Sequence, residues 1–111
     1  MVKRFVPSAG DVVWLDFDPQ AGHEQAGHRP AVVISDFLYN RNGLMLCVPV
    51  TTKIKGGPWE VDILSDVPSV ALSDQINSMD WKARNAQLKD KVSPEILEEI
   101  RYNASLLLGS E

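Results

Sequence analysis

"GHEQAGHRPAVVIS", residues 22–35, changes character at its midpoint. Its first half holds glycine, histidine, glutamate and glutamine. Its second half is an apolar, β-branched run. Arg29 and Pro30 stand at the junction, and a proline holds the residue before it extended. The run 31–35 reads as a short buried strand. Residues 18–30, with two prolines and two glycines, read as a loop too long for a tight hairpin. Arg29 thus sits at the foot of a rigid strand and faces a polar loop. Arginine presents fixed donors suited to phosphate oxygens. A structural ion pair to Asp16, Asp18 or Glu24 is the alternative reading.

Outward from this junction the pattern is mostly strand. "DVVWLDF" (11–17) alternates, with Val13, Leu15 and Phe17 on one side and Val12, Trp14 and Asp16 on the other. "DFLYNRNG" (36–43) reads as a helical turn, with Asp36 as cap and Gly43 as stop. "LMLCVPVTT" (44–52) is a further strand, and Pro49 argues for an edge or a bulge. "KIKGGP" (53–58) is a loop, "WEVDIL" (59–64) alternates again, and 69–81 holds two short strands bent around Ser73 and Asp74. Then the period changes. Ser93 caps a helix that has Pro94 at its first position. Val92 and Leu97 are placed for a hydrophobic staple. Ile96, Ile100, Ala104, Leu107 and Leu108 fall on one stripe, and Gly109 ends it. The class is therefore mainly β with helices (α+β): a small, strongly bent barrel with an amphipathic helix packed on it.

A chain of 111 residues is one domain, 1–111, and 44% hydrophobic content supplies its core. No apolar run approaches the roughly 20 residues of a membrane helix. "MVKRFVPSAGD" is basic without the apolar core of a secretion signal. The single cysteine, Cys47, excludes an internal disulfide. A cytoplasmic protein without membrane contact is expected. The net charge of −4 argues against a generally basic nucleic-acid coat. It says little about a local patch, and Arg29, Arg41, Lys53, Lys55, Lys82 and Arg84 lie in the middle of the chain.

Several chemistries fail on spacing. His23, Glu24 and His28 lack the helical His-Glu-x-x-His arrangement, and no Cys-x-x-Cys is present. Neither a metal nor another cofactor is expected. Cys47, inside "LMLCVPV", reads as a buried thiol. No Gly-x-Ser-x-Gly elbow and no Walker-type glycine loop occurs. What remains points to phosphate and bases. Thr51 and Thr52 end a strand beside Lys53 and Lys55, placed to hold a phosphate or to cap a turn. In "DQINSMDWKAR" (74–84), Gln75 and Asn77 are suited to base edges, and Lys82 and Arg84 add charge. Trp81 is a base-stacking platform or a core residue. Trp14 reads as core.

Together, "GDVVWLDFDP" (10–19), "GHEQAGHRPAVVIS" (22–35), "CVPVTT" (47–52), "ALSDQINSMDWKAR" (71–84) and the closing helix resemble the MazF/PemK family of toxin ribonucleases, in order along nearly the whole chain. The resemblance implies an SH3-like barrel of the CcdB/MazF type. It implies a homodimer with an RNA groove across its interface. The implied activity is sequence-specific, metal-independent cleavage of single-stranded RNA, an mRNA interferase that inhibits growth. The 2′-hydroxyl attacks its own phosphate, leaving 2′,3′-cyclic phosphate and 5′-hydroxyl ends. An acidic, MazE-like antitoxin tail blocks the groove, and contact with DNA is expected only through that antitoxin complex.

Carried onto this sequence, the resemblance makes Arg29 and Thr52 catalytic. Glu24 becomes the carboxylate that acts as base or orients Arg29, and the loop 18–28 closes over the substrate. His23, Gln25, His28, Lys53, Lys55, Asp74, Gln75, Asn77, Lys82 and Arg84 are expected to contact RNA. His23 and Asp74 match the PemK branch, but the arginine that branch carries two residues before the aspartate is Leu72 here. A different class, a non-catalytic CcdB-like gyrase poison, shares the scaffold. Its important contacts lie on the terminal helix, which here ends "SLLLGSE" without a terminal tryptophan.

Overall fold

The structure, a computed structural model, describes residues 5–16 and 28–109. Its strands are β1 (Asp11–Asp16), β2 (His28–Val33), β3 (Leu44–Thr51), β4 (Glu60–Asp62), β5 (Val70–Leu72), β6 (Asn77–Asp80) and β7 (Gln87–Lys91). Its helices are α1 (Phe37–Asn40) and α2 (Pro94–Leu107). Every strand pair is antiparallel, in the order β4-β5-β3-β2-β1-β7, with β6 added to β3. The α+β class expected from sequence is the one observed.

Both faces of the central strands are covered. Val12, Val32, Val48, Val50, Val61 and Ala71 pack with Ile96 and Ile100 of α2 on one side. Val13, Leu15, Ala31, Val33, Met45, Cys47, Met79 and Trp81 pack on the other. Burial on both faces is why "DVV" and "AVV" run apolar without alternating.

β2 begins at His28, three residues earlier than the apolar run, so Arg29 and Pro30 belong to the strand. Arg29 stands opposite Leu15, and Pro30 opposite Trp14. β3 is central and not an edge. Pro49 faces Ala31 on one side. On the other it falls between the last β6 pair, Cys47–Asn77, and the first β5 pair, Val50–Ala71. The ladder already changes partner there, so a residue without an N–H is tolerated. β7, "QLKDK", was invisible to periodicity because all five residues are exposed. Pairing with β1, across a bulge at Val12/Val13, makes it a strand, and its lysines guard an edge.

Asp36 occupies the N-cap position of α1 without a side-chain cap bond. Its carboxylate instead accepts from Arg101 Nη2 of α2 at 3.0 Å. Asn40 is fully buried and ties three segments together. Its side-chain amide donates to Pro7 O (2.8 Å) and Ser35 O (2.9 Å), and its main-chain carbonyl accepts from Trp81 Nε1 (2.7 Å).

α2 starts as expected, with Ser93 Oγ accepting from Ile96 N at 3.2 Å. Ile96, Ile100 and Ala104 are buried, but Leu107 and Leu108 are exposed. The last turn runs past the apolar surface that the sheet offers. Ile100 is at 0% exposure in the cluster under α2. Ile100→Ala should therefore cost about 2–5 kcal/mol through lost transfer energy and a residual cavity. That lowers the melting temperature by about ten degrees or more, as read by calorimetry and denaturant titration. A change below about 1 kcal/mol would mean that α2 is not part of the cooperative core. No helix among the described residues is long and apolar enough to cross a membrane.

Candidate functional site

The β1–β2 hairpin and the end of β3 open onto a cleft of about 730 Å³. Trp14, Arg29 and Pro30 line one wall, Val50, Thr51, Thr52 and Lys53 another, with Gln75 and, from β7, Lys89 and Asp90. Arg29 is exposed, and its guanidinium pairs with no described carboxylate. Of the carboxylates weighed for it, Asp18 and Glu24 lie outside the described residues. Asp16 is engaged elsewhere: it accepts from Asn85 Nδ2 at 2.9 Å and lies 3.1 Å from His28 Nδ1. The Asn85 amide first, and His28 second, hold the Asp16 carboxyl below the usual carboxylate range.

Around Asp16 a small framework fixes the end of the hairpin. Arg84 Nη1 donates to Asp16 O at 3.0 Å, and Asp16 N donates to Arg84 O. His28 stacks on Trp14 with ring centres 5.2 Å apart and planes within 9°. Lys89 Nζ stands 5.4 Å from the centre of the same indole. Trp14 is therefore a half-buried cleft residue and not core, which corrects the sequence reading. Trp81 is the core tryptophan: it is 6% exposed and its Nε1 is held by Asn40.

The two threonines separate in role. Thr51 Oγ1 accepts from Lys53 N at 3.0 Å and caps the turn. Thr52 is exposed, and its hydroxyl has no partner among the described residues. A smaller cleft of about 310 Å³ adjoins the first and shares Thr51, Lys53, Leu72 and Gln75 with it. Lys55, Gly57, Trp59, Glu60 and Asp74 complete its lining. The Glu60 carboxylate accepts from Lys55 N (3.0 Å) and Gly56 N (2.9 Å), folding the loop back over β4.

The structure thus brings Arg29, Thr52, Lys53 and Gln75 together in one cleft, and Lys53, Lys55, Asp74 and Gln75 in its neighbour. Asn77 is half-buried on β6, and its amide donates to Gln75 O at 3.1 Å. It braces the turn that carries Gln75. Lys82, over the Trp81 ring at 5.5 Å, and Arg84 line neither cleft. His28 flanks the large cleft through Trp14. His23, Glu24 and Gln25 lie outside the described residues.

Lys89, Asp90 and Trp59 were missed from sequence, since "QLKDK" carries no motif and Trp59 sits in an ordinary alternating run. Cys47 is fully buried, and burial pushes its thiol up to about 12, so no thiolate nucleophile forms at neutral pH. Among the described residues no three His, Cys, Asp or Glu side chains gather to hold a metal.

The family described as the PemK-like, MazF-like toxin of type II toxin–antitoxin systems matches residues 8–108. The chain is 53% identical over 112 residues to the endoribonuclease toxin MazF of Escherichia coli (strain K12), covering 98% of this chain and 100% of that protein. A crystal structure of MazF from Deinococcus radiodurans superposes with a TM-score of 0.85 at 45% identity, over 96% of this chain and 99% of that one. A MazE–MazF complex from the same organism gives 0.85 at 38% identity, over 97% and 100%.

Proposed function

The chain belongs to the PemK-like, MazF-like toxin family and is an endoribonuclease toxin of a toxin–antitoxin system, and from that premise we propose how its clefts act on RNA. The substrate is single-stranded mRNA, cut in the cytoplasm at a preferred sequence. The 2′-hydroxyl attacks the adjacent phosphorus, the P–O5′ bond breaks, and a 2′,3′-cyclic phosphate and a 5′-hydroxyl result. The observation that carries this reading is the Arg29 guanidinium in one cleft with the Thr52 hydroxyl and Lys53, both the guanidinium and the hydroxyl without a partner among the described residues. Negative charge grows on the phosphate oxygens in the transition state, and preorganised donors aimed at it lower the barrier. These cations supply the positive charge, so no metal or other cofactor is assigned. Glu24 acts as base toward the 2′-hydroxyl or orients Arg29, a role resting on the family likeness.

His23, Gln25, His28, Lys53, Lys55, Asp74 and Gln75 are assigned to RNA contact, and the loop 18–28 to covering it. Asn77 acts through Gln75. Lys82 and Arg84 are assigned to a groove that continues onto the second protomer of a homodimer. Exposed apolar residues at α1 and the end of α2, Leu38 at 69% and Leu108 at 79% among them, offer a surface for that pairing. The partner class is an antitoxin, as the MazE–MazF relatives indicate. An acidic, MazE-like tail fits the same clefts, with carboxylates where phosphates lie, and DNA contact is assigned to that complex alone. The CcdB-like gyrase-poison reading is not favoured, because the matched relatives are endoribonucleases.

The test is incubation of the pure protein with a long single-stranded RNA in excess EDTA. Cleavage at a recurring sequence, with 5′-hydroxyl ends, is expected. Cleavage that needs added magnesium, or that leaves 5′-phosphate ends, overturns the chemistry.

A further inference from the structure

The three tryptophans of the chain stand in different settings. Trp81 is buried with its Nε1 engaged. Trp14 lies in the large cleft, but His28 stacks on its ring and Lys89 stands over it. Trp59 is half-buried on the smaller cleft, with no ring partner and no hydrogen bond from its Nε1 among the described residues. An open indole at a groove wall is a platform for a nucleobase, because every base has a π-face.

Both walls of this cleft are held before any ligand arrives. The Trp59 carbonyl accepts from Ser73 N at 3.0 Å and from the buried Ser73 hydroxyl. The Glu60 carboxylate holds the Lys55 and Gly56 amides of the facing loop. Gln75 N donates to Leu72 O at 3.0 Å, closing the turn that presents Asp74 and Gln75. A site fixed in this way loses little entropy on binding. Its volume, about 310 Å³, lies at the small end of ligand pockets, which run from about 300 to 1,000 Å³.

We infer that this smaller cleft is a subsite for one nucleobase carrying an exocyclic amino group, stacked on Trp59 and read by Asp74 and Gln75. It rests on the reading that RNA is the ligand, and it places the recognised base beside, not at, the phosphate cut at Arg29. A carboxylate only accepts hydrogen bonds, so the base edge facing Asp74 must donate. Adenine, cytosine and guanine each have an amino group to offer. Uracil has one imide N–H flanked by two carbonyl oxygens, which would face the carboxylate. The Gln75 amide both donates and accepts, so it pairs with the ring nitrogen or carbonyl beside the amino group. Lys53 and Lys55 lie at the same cleft for the flanking phosphates. Uracil is therefore rejected at one position of the recognised sequence.

The experiment uses the full chain carrying Arg29→Ala, so that bound RNA stays intact. RNA oligonucleotides with 2-aminopurine at successive positions are titrated, and quenching reports stacking. Strong quenching at one position is expected. It should be lost when Trp59→Ala is added and kept with Trp59→Phe. In unlabelled RNA, uracil at that position should weaken binding about tenfold or more relative to the preferred base, in line with the loss of one stacked, paired base. Asp74→Asn, whose amide can also donate, should erase the penalty. Quenching at no position, quenching unchanged by Trp59→Ala, or equal binding of uracil overturns the subsite. Cleavage of ordinary RNA by the unmodified protein is measured separately, and its absence strikes the proposed activity instead.

Discussion

Arg29→Ala lowers kcat/KM for RNA cleavage by about 10²–10³-fold, the effect of removing one preorganised transition-state donor, or about 3–4 kcal/mol. The fold should not change. Arg29 is exposed and pairs with no described carboxylate, and surface substitutions of that kind stay within about 0.5 kcal/mol. RNA binding should fall much less, since Lys53 and Lys55 still meet the phosphates. Arg29→Lys restores the charge without the planar fork and should lie between the two. Single-turnover kinetics beside thermal denaturation separate these effects. Asp74→Ala should cost less and act on binding or sequence preference. The reverse ranking would shift the chemistry to the PemK-type pair of His23 and Asp74, despite Leu72.

RNA carrying a single 2′-deoxy sugar at the scissile nucleotide resists cleavage completely and still binds. The missing hydroxyl is the nucleophile of the proposed reaction. Cys47 is buried and its thiol is pushed up to about 12. Bases and phosphates are unchanged in this substrate, so it should compete with ordinary RNA at similar affinity. Cleavage of it, by any route, shows that water or a side chain is the attacking group. Binding lost together with cleavage shows that the hydroxyl is a recognition element.

Much of this molecule was legible because its signals are short-range. The Arg29–Pro30 junction, the apolar runs of β1, β2 and β3, and the Ser93–Pro94 start of α2 each depend on residues within a turn or a pleat of one another. Capping, proline sterics and hydrophobic periodicity act over such distances. The hydroxyl and lysines at the end of β3 were legible for the same reason. A strand carries its terminal residues to one end of the sheet.

Other features depended on which distant segment arrived. β7 has no apolar face and exists through its pairing with β1. Sequence left Trp81 as a stacking ring or a core residue and read Trp14 as core; the fold buries Trp81 and places Trp14 at the cleft. Asn40, 41 residues away, draws the Trp81 indole inward, while Trp14 opens onto the cleft beside His28. Arg84 read as an RNA contact, and the fold also uses it to fasten Asp16 across 68 positions.

By itself, then, the sequence determined the class, the order of the elements other than β7, and the placing of Arg29 and Thr52 at strand ends, because backbone preference and periodicity are local. Tertiary structure decided which rings are open, which carboxylate is already engaged and which cations share a cleft. Those outcomes are settled by burial and hydrogen bonding between segments that no local rule brings together.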